Sequence, residues 1–128
     1  MQLEILTPEK SVFKGEVTSI QLPGSNGLFG VLNKHAPFLT DVEPGILNIK
    51  HPELTSMFIG GGFFEVQNNK AVILADSIEK IEEIDINRVN ESVKRAKARL
   101  AEKKNIDVLR ANRSLKRALE RKKFKEKV

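Results

Sequence analysis

The sequence predicts an α+β protein in two parts, an antiparallel β-sandwich followed by an antiparallel hairpin of two helices. All eight Gly and all five Pro residues lie within the first 62 positions, where they separate short apolar runs. All seven Arg residues lie after Asp76, among Ala, Leu, Glu and Lys, which is the composition of a solvated helix. We therefore expect a β-sandwich over residues 1–80 and a helical hairpin over residues 84–128.

The front part contains apolar runs of strand length, bounded by turn residues. The first, at residues 2–6, alternates, with Leu3 and Ile5 on one face. Asn68-Asn69 is a two-residue link that tolerates positive φ and predicts a hairpin, whereas the triplet at residues 60–62 predicts a sharp strand bend or a large group packed against the backbone. Seven or more strands at this spacing favour a sandwich or barrel; the predicted strands are 2–6, 16–22, 28–32, 46–50, 54–59, 63–67 and 71–75.

From Asp85 onward the apolar period changes from two to between three and four, which predicts helix. Asp85 is a suitable N-cap for a first helix that runs to about Lys104. A second helix begins near Asn105 or Asp107, and the short break predicts that the two helices are antiparallel. The apolar stripe consists mostly of small side chains, so the hairpin is expected to be weakly held; its members are Ile86, Val89, Val93, Ala96, Leu100, Val108, Ala111, Leu115 and Ala118.

Charge divides the chain at the same place. Residues 1–76 have a net charge of −3, and residues 77–128 carry seventeen basic and nine acidic residues, a net charge of +8. A basic helical part suits an acidic partner, which could be a nucleic acid, a membrane surface, a nucleotide or an acidic protein patch. The chain has no Cys, its N-terminus lacks the pattern of a signal peptide, and no apolar run is long enough to span a bilayer. These features predict an intracellular, soluble protein.

Catalytic and metal-binding motifs are not evident. His35 and His51 have no Cys partners, and a metal site needs three or four converging ligands. The glycines at positions 24, 27 and 30 match neither the dinucleotide fingerprint nor a phosphate loop, so turn and bulge glycines are the expected interpretation. We expect no active site, no required cofactor and no metal.

One arrangement in the helical part is suited to an anion. Arg88 and Arg95 are seven residues apart, and Arg117 and Arg121 are four apart, so each pair lies near one helix face. Folding the hairpin could gather four guanidinium groups around a triphosphate. The alternative is that these residues solvate an amphipathic helix, which is the more common role of such stripes.

Taken over nearly its whole length, the chain resembles the epsilon subunit of the bacterial-type rotary F-type ATP synthase. The resemblance begins with the spaced glycines that lead to His35-Ala36-Pro37. It continues in residues 61–67 and 71–76 and ends in a helical pair of the expected length.

The resemblance implies a non-catalytic accessory subunit of the proton-translocating complex at the foot of the central stalk. Its partners would be the gamma subunit, the c-ring and the alpha and beta subunits, on the cytoplasmic face of the bacterial plasma membrane. It would couple ring rotation to ATP synthesis and restrain ATP hydrolysis through its C-terminal helices. The implied rotor and c-ring contacts are Ser25, Asn26, Gly27, Leu28 and His35, and the implied contacts with an acidic loop of the catalytic head are Arg110, Arg113, Lys116 and Arg117.

Some members of the family bind ATP on the folded hairpin through an Ile/Leu-Asp-x-x-Arg-Ala motif. Residues 84–89 are similar but end in Val89, and residues 106–111 carry the complete pattern at the start of the second helix. The resemblance thus implies ATP as a regulatory ligand, held by Glu79, Asp85, Arg88, Arg95, Arg117 and Arg121.

A different function class remains open from the sequence. An antiparallel barrel with a basic helical arm is compatible with a small nucleic-acid-binding protein. Against this, the β part is acidic, and its Phe residues lie in apolar runs instead of alternating with basic residues along a strand.

Overall fold

The computed structural model describes residues 1–102 and 108–126 of the chain. They divide into two compact units, Met1–Lys80 and Ile81–Val128, which we call the β unit and the helical unit. The predicted end of the first helix near Lys104 and the predicted starts of the second at Asn105 or Asp107 lie outside the described residues.

The β unit contains eight strands, two of them much longer than the others. The strands are β1 (Gln2–Leu6), β2 (Ser11–Glu16), β3 (Ser19–Gly24), β4 (Gly27–Leu32), β5 (Phe38–His51), β6 (Glu53–Gln67), β7 (Lys70–Ala75) and β8 (Ile78–Glu79). They hydrogen-bond in the order β2-β1-β7-β6-β5-β3-β4, and β8 pairs with β6.

The long strands β5 and β6 belong to both layers of a sandwich. The first half of β5 pairs with the second half of β6, which in turn pairs with β7. The second half of β5 pairs with β3, and the first half of β6 pairs with β8. The predicted β-sandwich is confirmed. Every pairing is antiparallel except that of β1 with β7, which is parallel.

Alternating side chains of the strands fill the space between the layers. Phe64 and ten aliphatic side chains are almost fully buried there, and no buried side-chain polar atom in the described residues lacks a hydrogen-bond partner. The buried apolar area is the main stabilising contribution. The core includes Leu3, Ile5, Ile20, Leu22, Val31, Leu47, Ile49, Ile59, Phe64, Val66 and Ile73.

The glycine triplet lies at the bend of β6. Gly62 has φ of 148°, and a Cβ at this position would lie 2.0 Å from the carbonyl oxygen of Leu74 on β7. The backbones of β6 and β7 approach closely here, and only a residue without a side chain fits. The bend redirects β6 from one layer to the other.

Four strand predictions were wrong in their bounds. Residues 16–22 are not one strand, because the chain passes between β2 and β3 at Val17 and Thr18, whose amides donate to the carbonyls of Met1 and Lys50. The segment 11–15, which lies outside the predicted strands, belongs to β2. The predicted strands 46–50, 54–59 and 63–67 are parts of β5 and β6, since the glycines bend β6 without ending it. The Asn68-Asn69 hairpin is confirmed, with φ of 52° and 58°.

The helical unit begins with a short 3-10 helix, Ile81–Glu83, and contains α1 (Ile86–Glu102) and α2 (Val108–Glu126). The side-chain ammonium of Lys125 donates to the carbonyl oxygen of Ile81 at 3.2 Å. Because this contact brings the end of α2 to the segment before α1, the two helices are antiparallel, as predicted. Small side chains dominate the buried positions of the two helices, which are Val89 and Ala96 on α1 and Ala111, Ala118 and the larger Phe124 on α2.

Candidate functional site

The residues predicted to contact the rotor surround strand β4 of the β unit. Ser25 and Asn26 form a two-residue turn between Gly24 and Gly27, which pair at the ends of β3 and β4. We call the segment Gly24–Leu28 the tip. Gly27 has φ of 109° with open space around the position of a Cβ, and the next side chain, Leu28, is 62% exposed. The tip therefore presents backbone and one large apolar side chain to solvent.

His35 lies beyond the other end of β4, in a turn closed by its amide donating to the carbonyl of Leu32. A series of ring contacts leads back from it toward the tip. The His35 ring lies 5.9 Å from that of Phe38, and the Phe38 ring lies 6.0 Å from that of Phe29, which follows Leu28 on β4. The structure therefore connects His35 to the tip through two aromatic side chains, a contact that the sequence did not predict.

A shallow groove of about 290 Å³ lies on the outer surface across β3, β4, β5 and β6. Leu32 and Leu54 line it and are 67% and 69% exposed. Beside them a polar row crosses three strands, since Asn48 donates to Gln21 at 2.9 Å and accepts from Ser56. Exposed large apolar side chains around a groove are typical of a surface that binds another protein.

In the helical unit, Asp85 is the N-cap of α1, as predicted. Its carboxylate accepts from the amide of Asn87 at 2.9 Å and from that of Arg88 at 3.4 Å. Two amides at the helix start, which have no partner within the helix, are satisfied in this way. The carboxylate is therefore already engaged in starting the helix.

The two helices prove to be copies of one motif. Residues 84–99 and 106–121, which are 22 positions apart, are identical at nine of sixteen positions. The burial is repeated too, because Val89 and Ala96 correspond to Ala111 and Ala118, and all four are buried. The six-residue motif at residues 84–89 and 106–111 is only the beginning of this repeat, which continues to Arg99 and Arg121.

The arginines of the two helices lie on one side of the hairpin. Arg88 and Arg95 immediately precede the buried Val89 and Ala96, while Arg110 and Arg117 immediately precede the buried Ala111 and Ala118. Two equivalent antiparallel helices are related by a two-fold axis that passes between them and is perpendicular to both. Rotation about this axis exchanges the helices, so residues at equivalent positions of the two helices lie on the same side of the pair. We call this flank the arginine face; it consists of Arg88, Arg95, Arg99, Arg110, Arg117 and Arg121.

The predicted ATP-binding residues divide between the units. Arg88, Arg95, Arg117 and Arg121 share the arginine face, and Asp85 lies at the start of α1. Glu79 belongs to β8 in the β unit, where it is half-buried. Arg95 also donates to the hydroxyl of Ser92 at 3.4 Å on its own helix. The hairpin thus brings four of the six predicted residues to one side, and the sequence analysis omitted Arg99 from this set.

The predicted contacts with the catalytic head fall on two sides of α2. Arg110 and Arg117 belong to the arginine face, and the exposed Arg113 lies beside them, three residues after the first and four before the second. Lys116 is exposed on another side of the helix. Arg117 therefore appears in both predicted sets. One side chain cannot hold a nucleotide and a protein carboxylate at once, so the two predicted interactions would compete.

No three His, Cys, Asp or Glu side chains converge as a metal site would require, as far as residues 1–102 and 108–126 are concerned. None of the helices in the described part of the chain is both long and apolar enough to cross a bilayer.

Two family models match consecutive parts of the chain. The model for the beta-sandwich domain of the ATP synthase delta/epsilon chain matches residues 1–81, and the model for the long alpha-helix domain of the same chain matches residues 82–123. This chain belongs to the ATP synthase delta/epsilon chain family. The family and the two-part fold expected from the resemblance are confirmed.

Curated relatives in the delta/epsilon family are similar over most of their length. The ATP synthase epsilon chain of Pelotomaculum thermopropionicum is 45% identical over 103 residues, which span 80% of this chain and 77% of that protein. The ATP synthase epsilon chain of Protochlamydia amoebophila is 44% identical over 100 residues, spanning 77% and 68%.

Solved structures support the fold of this delta/epsilon family member. A chain of the Euglena gracilis mitochondrial ATP synthase (OSCP/F1/c-ring, rotational state 1) superposes with a TM-score of 0.79 at 22% identity, covering 92% of this chain and 76% of that one. A chain of the Tetrahymena thermophila mitochondrial ATP synthase central stalk and c-ring gives 0.67 at 17% identity, covering 97% and 95%.

Proposed function

We propose that this chain is a non-catalytic subunit of the ATP synthase central stalk, peripheral on the cytoplasmic face of the membrane. In this role it couples proton-driven rotation of the c-ring to ATP synthesis in the catalytic head. The observation that carries the proposal is the match of both family models, in order, to residues 1–123. The family assignment favours this function over the nucleic-acid-binding alternative.

The β unit is proposed to bind the gamma subunit and the c-ring. Its tip and β4 expose Leu28 and Leu32, and the nearby His35 ring is linked to β4 through Phe38 and Phe29. Burying such apolar side chains against a partner contributes about 25 cal/mol per Å². The rigid sheet beneath them suits a subunit that must rotate with its partners without deforming.

The helical unit is proposed to restrain ATP hydrolysis. Its buried stripe consists largely of Ala and Val side chains, so the contact between α1 and α2 buries little apolar area. A helix pair held this weakly can separate and bind elsewhere. When it does, Arg110, Arg113, Lys116 and Arg117 would contact an acidic loop of the beta subunits. Several such pairs are needed, because each exposed pair contributes under about 1 kcal/mol.

ATP is proposed to be the regulatory ligand that keeps the hairpin folded. Six guanidinium groups on one side of a small hairpin repel one another, and a bound triphosphate would reverse that repulsion. A ligand that binds only the folded hairpin stabilises it in proportion to the logarithm of its concentration. High ATP would therefore reduce inhibition, because it withholds Arg117 from the catalytic head.

Arg88→Ala is expected to weaken ATP binding by at least about tenfold, because it removes one charge-assisted contact to phosphate. Isothermal titration calorimetry of ATP into the full chain measures this effect. Lys97→Ala is the matched control, since it removes one positive charge from an exposed position of α1 outside the arginine face. The absence of heat with the unmodified chain at millimolar ATP would contradict ATP sensing.

A further inference from the structure

The internal repeat relates arginines of the predicted ATP site to other arginines of the arginine face that the predicted site does not include. Arg88 corresponds to Arg110 in the repeat, and Arg121 corresponds to Arg99. Ser92 corresponds to Ser114 in the same way. The spacing of Arg and Ser side chains near the start of α1 is therefore repeated near the start of α2.

The register of the hairpin determines which arginines lie at the same level. Lys125 reaches the carbonyl of Ile81, and α1 ends at Glu102 only a few residues before α2 begins. Both facts place Arg88 at the level of Arg121, at the open end of the hairpin, and Arg99 at the level of Arg110, near the connection. Arg95 and Arg117 lie between the two pairs.

The two pairs are too far apart to bind one small anion together. Eleven residues separate Arg88 from Arg99 along α1, which corresponds to about 16 Å at 1.5 Å per residue. Each pair by itself lies on facing flanks of two packed helices, where guanidinium groups can approach one phosphate from both sides. The predicted ATP site includes Arg88 and Arg121 but not the pair formed by Arg99 and Arg110.

We propose that Arg99 and Arg110, with Ser114, form a second phosphate-binding position on the arginine face. Its ligand class is a phosphate or diphosphate group, which two guanidinium groups and a hydroxyl are suited to bind. Arg99 and Arg110 are both exposed, so the position is open to solvent. The inference extends the proposed nucleotide site but depends on different residues, so the two can fail separately.

Occupation of this position would affect the same equilibrium as ATP. Arg110 is one of the predicted contacts with the catalytic head, so a phosphate held there would compete with that contact. The hairpin would then respond to two phosphate ligands, one at each end.

The test is a titration of the full chain with inorganic pyrophosphate, following the side-chain Nε–Hε signals of the seven arginines by NMR. The expected result is saturable shifts at both pairs. Arg99→Gln is expected to weaken binding at Arg110 about tenfold and to leave the shifts of Arg88 and Arg121 intact. The matched control Lys97→Gln removes one positive charge from an exposed position of α1, two residues from Arg95 and Arg99 and so away from the arginine face, and should leave both pairs unaffected.

The possible outcomes separate the two proposals. Shifts confined to Arg88 and Arg121 overturn the second position and support the nucleotide site. Shifts confined to Arg99 and Arg110 support the second position and contradict the nucleotide site. A uniform, non-saturating shift of all seven signals indicates ionic screening and overturns both.

Discussion

Gly62→Ala is expected to lower the free energy of unfolding of the β unit by more than about 3 kcal/mol, which places it among the largest single-substitution effects. Its Cβ would lie 2.0 Å from the carbonyl oxygen of Leu74 and 3.0 Å from the Cα of Ala75. Both are backbone atoms of β7, so relief requires β6 and β7 to move apart. That movement breaks the pairing that holds the bend between the two layers.

Gly27→Ala is the matched control, because Gly27 also has positive φ but its surroundings are open. It should cost about 1 to 2 kcal/mol, from backbone strain alone. The chain has no Trp or Tyr, so urea unfolding is best followed by the amide NMR signals of the strands. Equal losses for the two variants would contradict the close approach of β6 and β7.

Ala96→Glu is expected to separate the two helices. Ala96 is buried in the stripe between α1 and α2, and an unpaired charge buried there costs several kcal/mol. The small apolar stripe cannot offset that cost. Amides of α1 and α2 should lose protection from hydrogen exchange while amides of the β unit keep theirs, and in the assembled complex ATP hydrolysis should fall because the helices are released.

The neighbouring Ala98→Glu controls for added charge and for helix propensity. Ala98 is exposed on α1, and a surface change of this kind is typically worth under about 0.5 kcal/mol. If Ala98→Glu opened the hairpin as readily as Ala96→Glu, the buried stripe would not be what holds it together.

The sequence predicted the architecture well where local signals were strong. The Asn68-Asn69 turn, the Asp85 cap and the heptad spacing of small residues each determine local structure without help from distant residues. The bounds of β5 and β6 could not be predicted in this way. Glycine and proline normally end strands, but here partner strands on both sides of Gly62 keep β6 continuous through its bend.

The candidate sites were predicted unevenly for a similar reason. Arg88, Arg95, Arg117 and Arg121 followed from spacing along single helices. Arg99 and its pairing with Arg110 depend on the register between helices, which a single helix pattern does not contain. The ring contacts from His35 to Phe29 likewise depend on the turn after β4, in which Lys34 adopts φ of 63°.

Our central proposal is that the β unit attaches the chain to the ATP synthase complex and that the helical unit restrains ATP hydrolysis by this complex. It is tested most directly by reconstituting the alpha, beta and gamma subunits with either the full chain or a chain ending at Lys80, and measuring ATP hydrolysis. Gamma should be retained with both forms, and hydrolysis should be several-fold faster with the shortened chain. Equal rates from the two complexes, with the shortened chain still bound, would contradict the account.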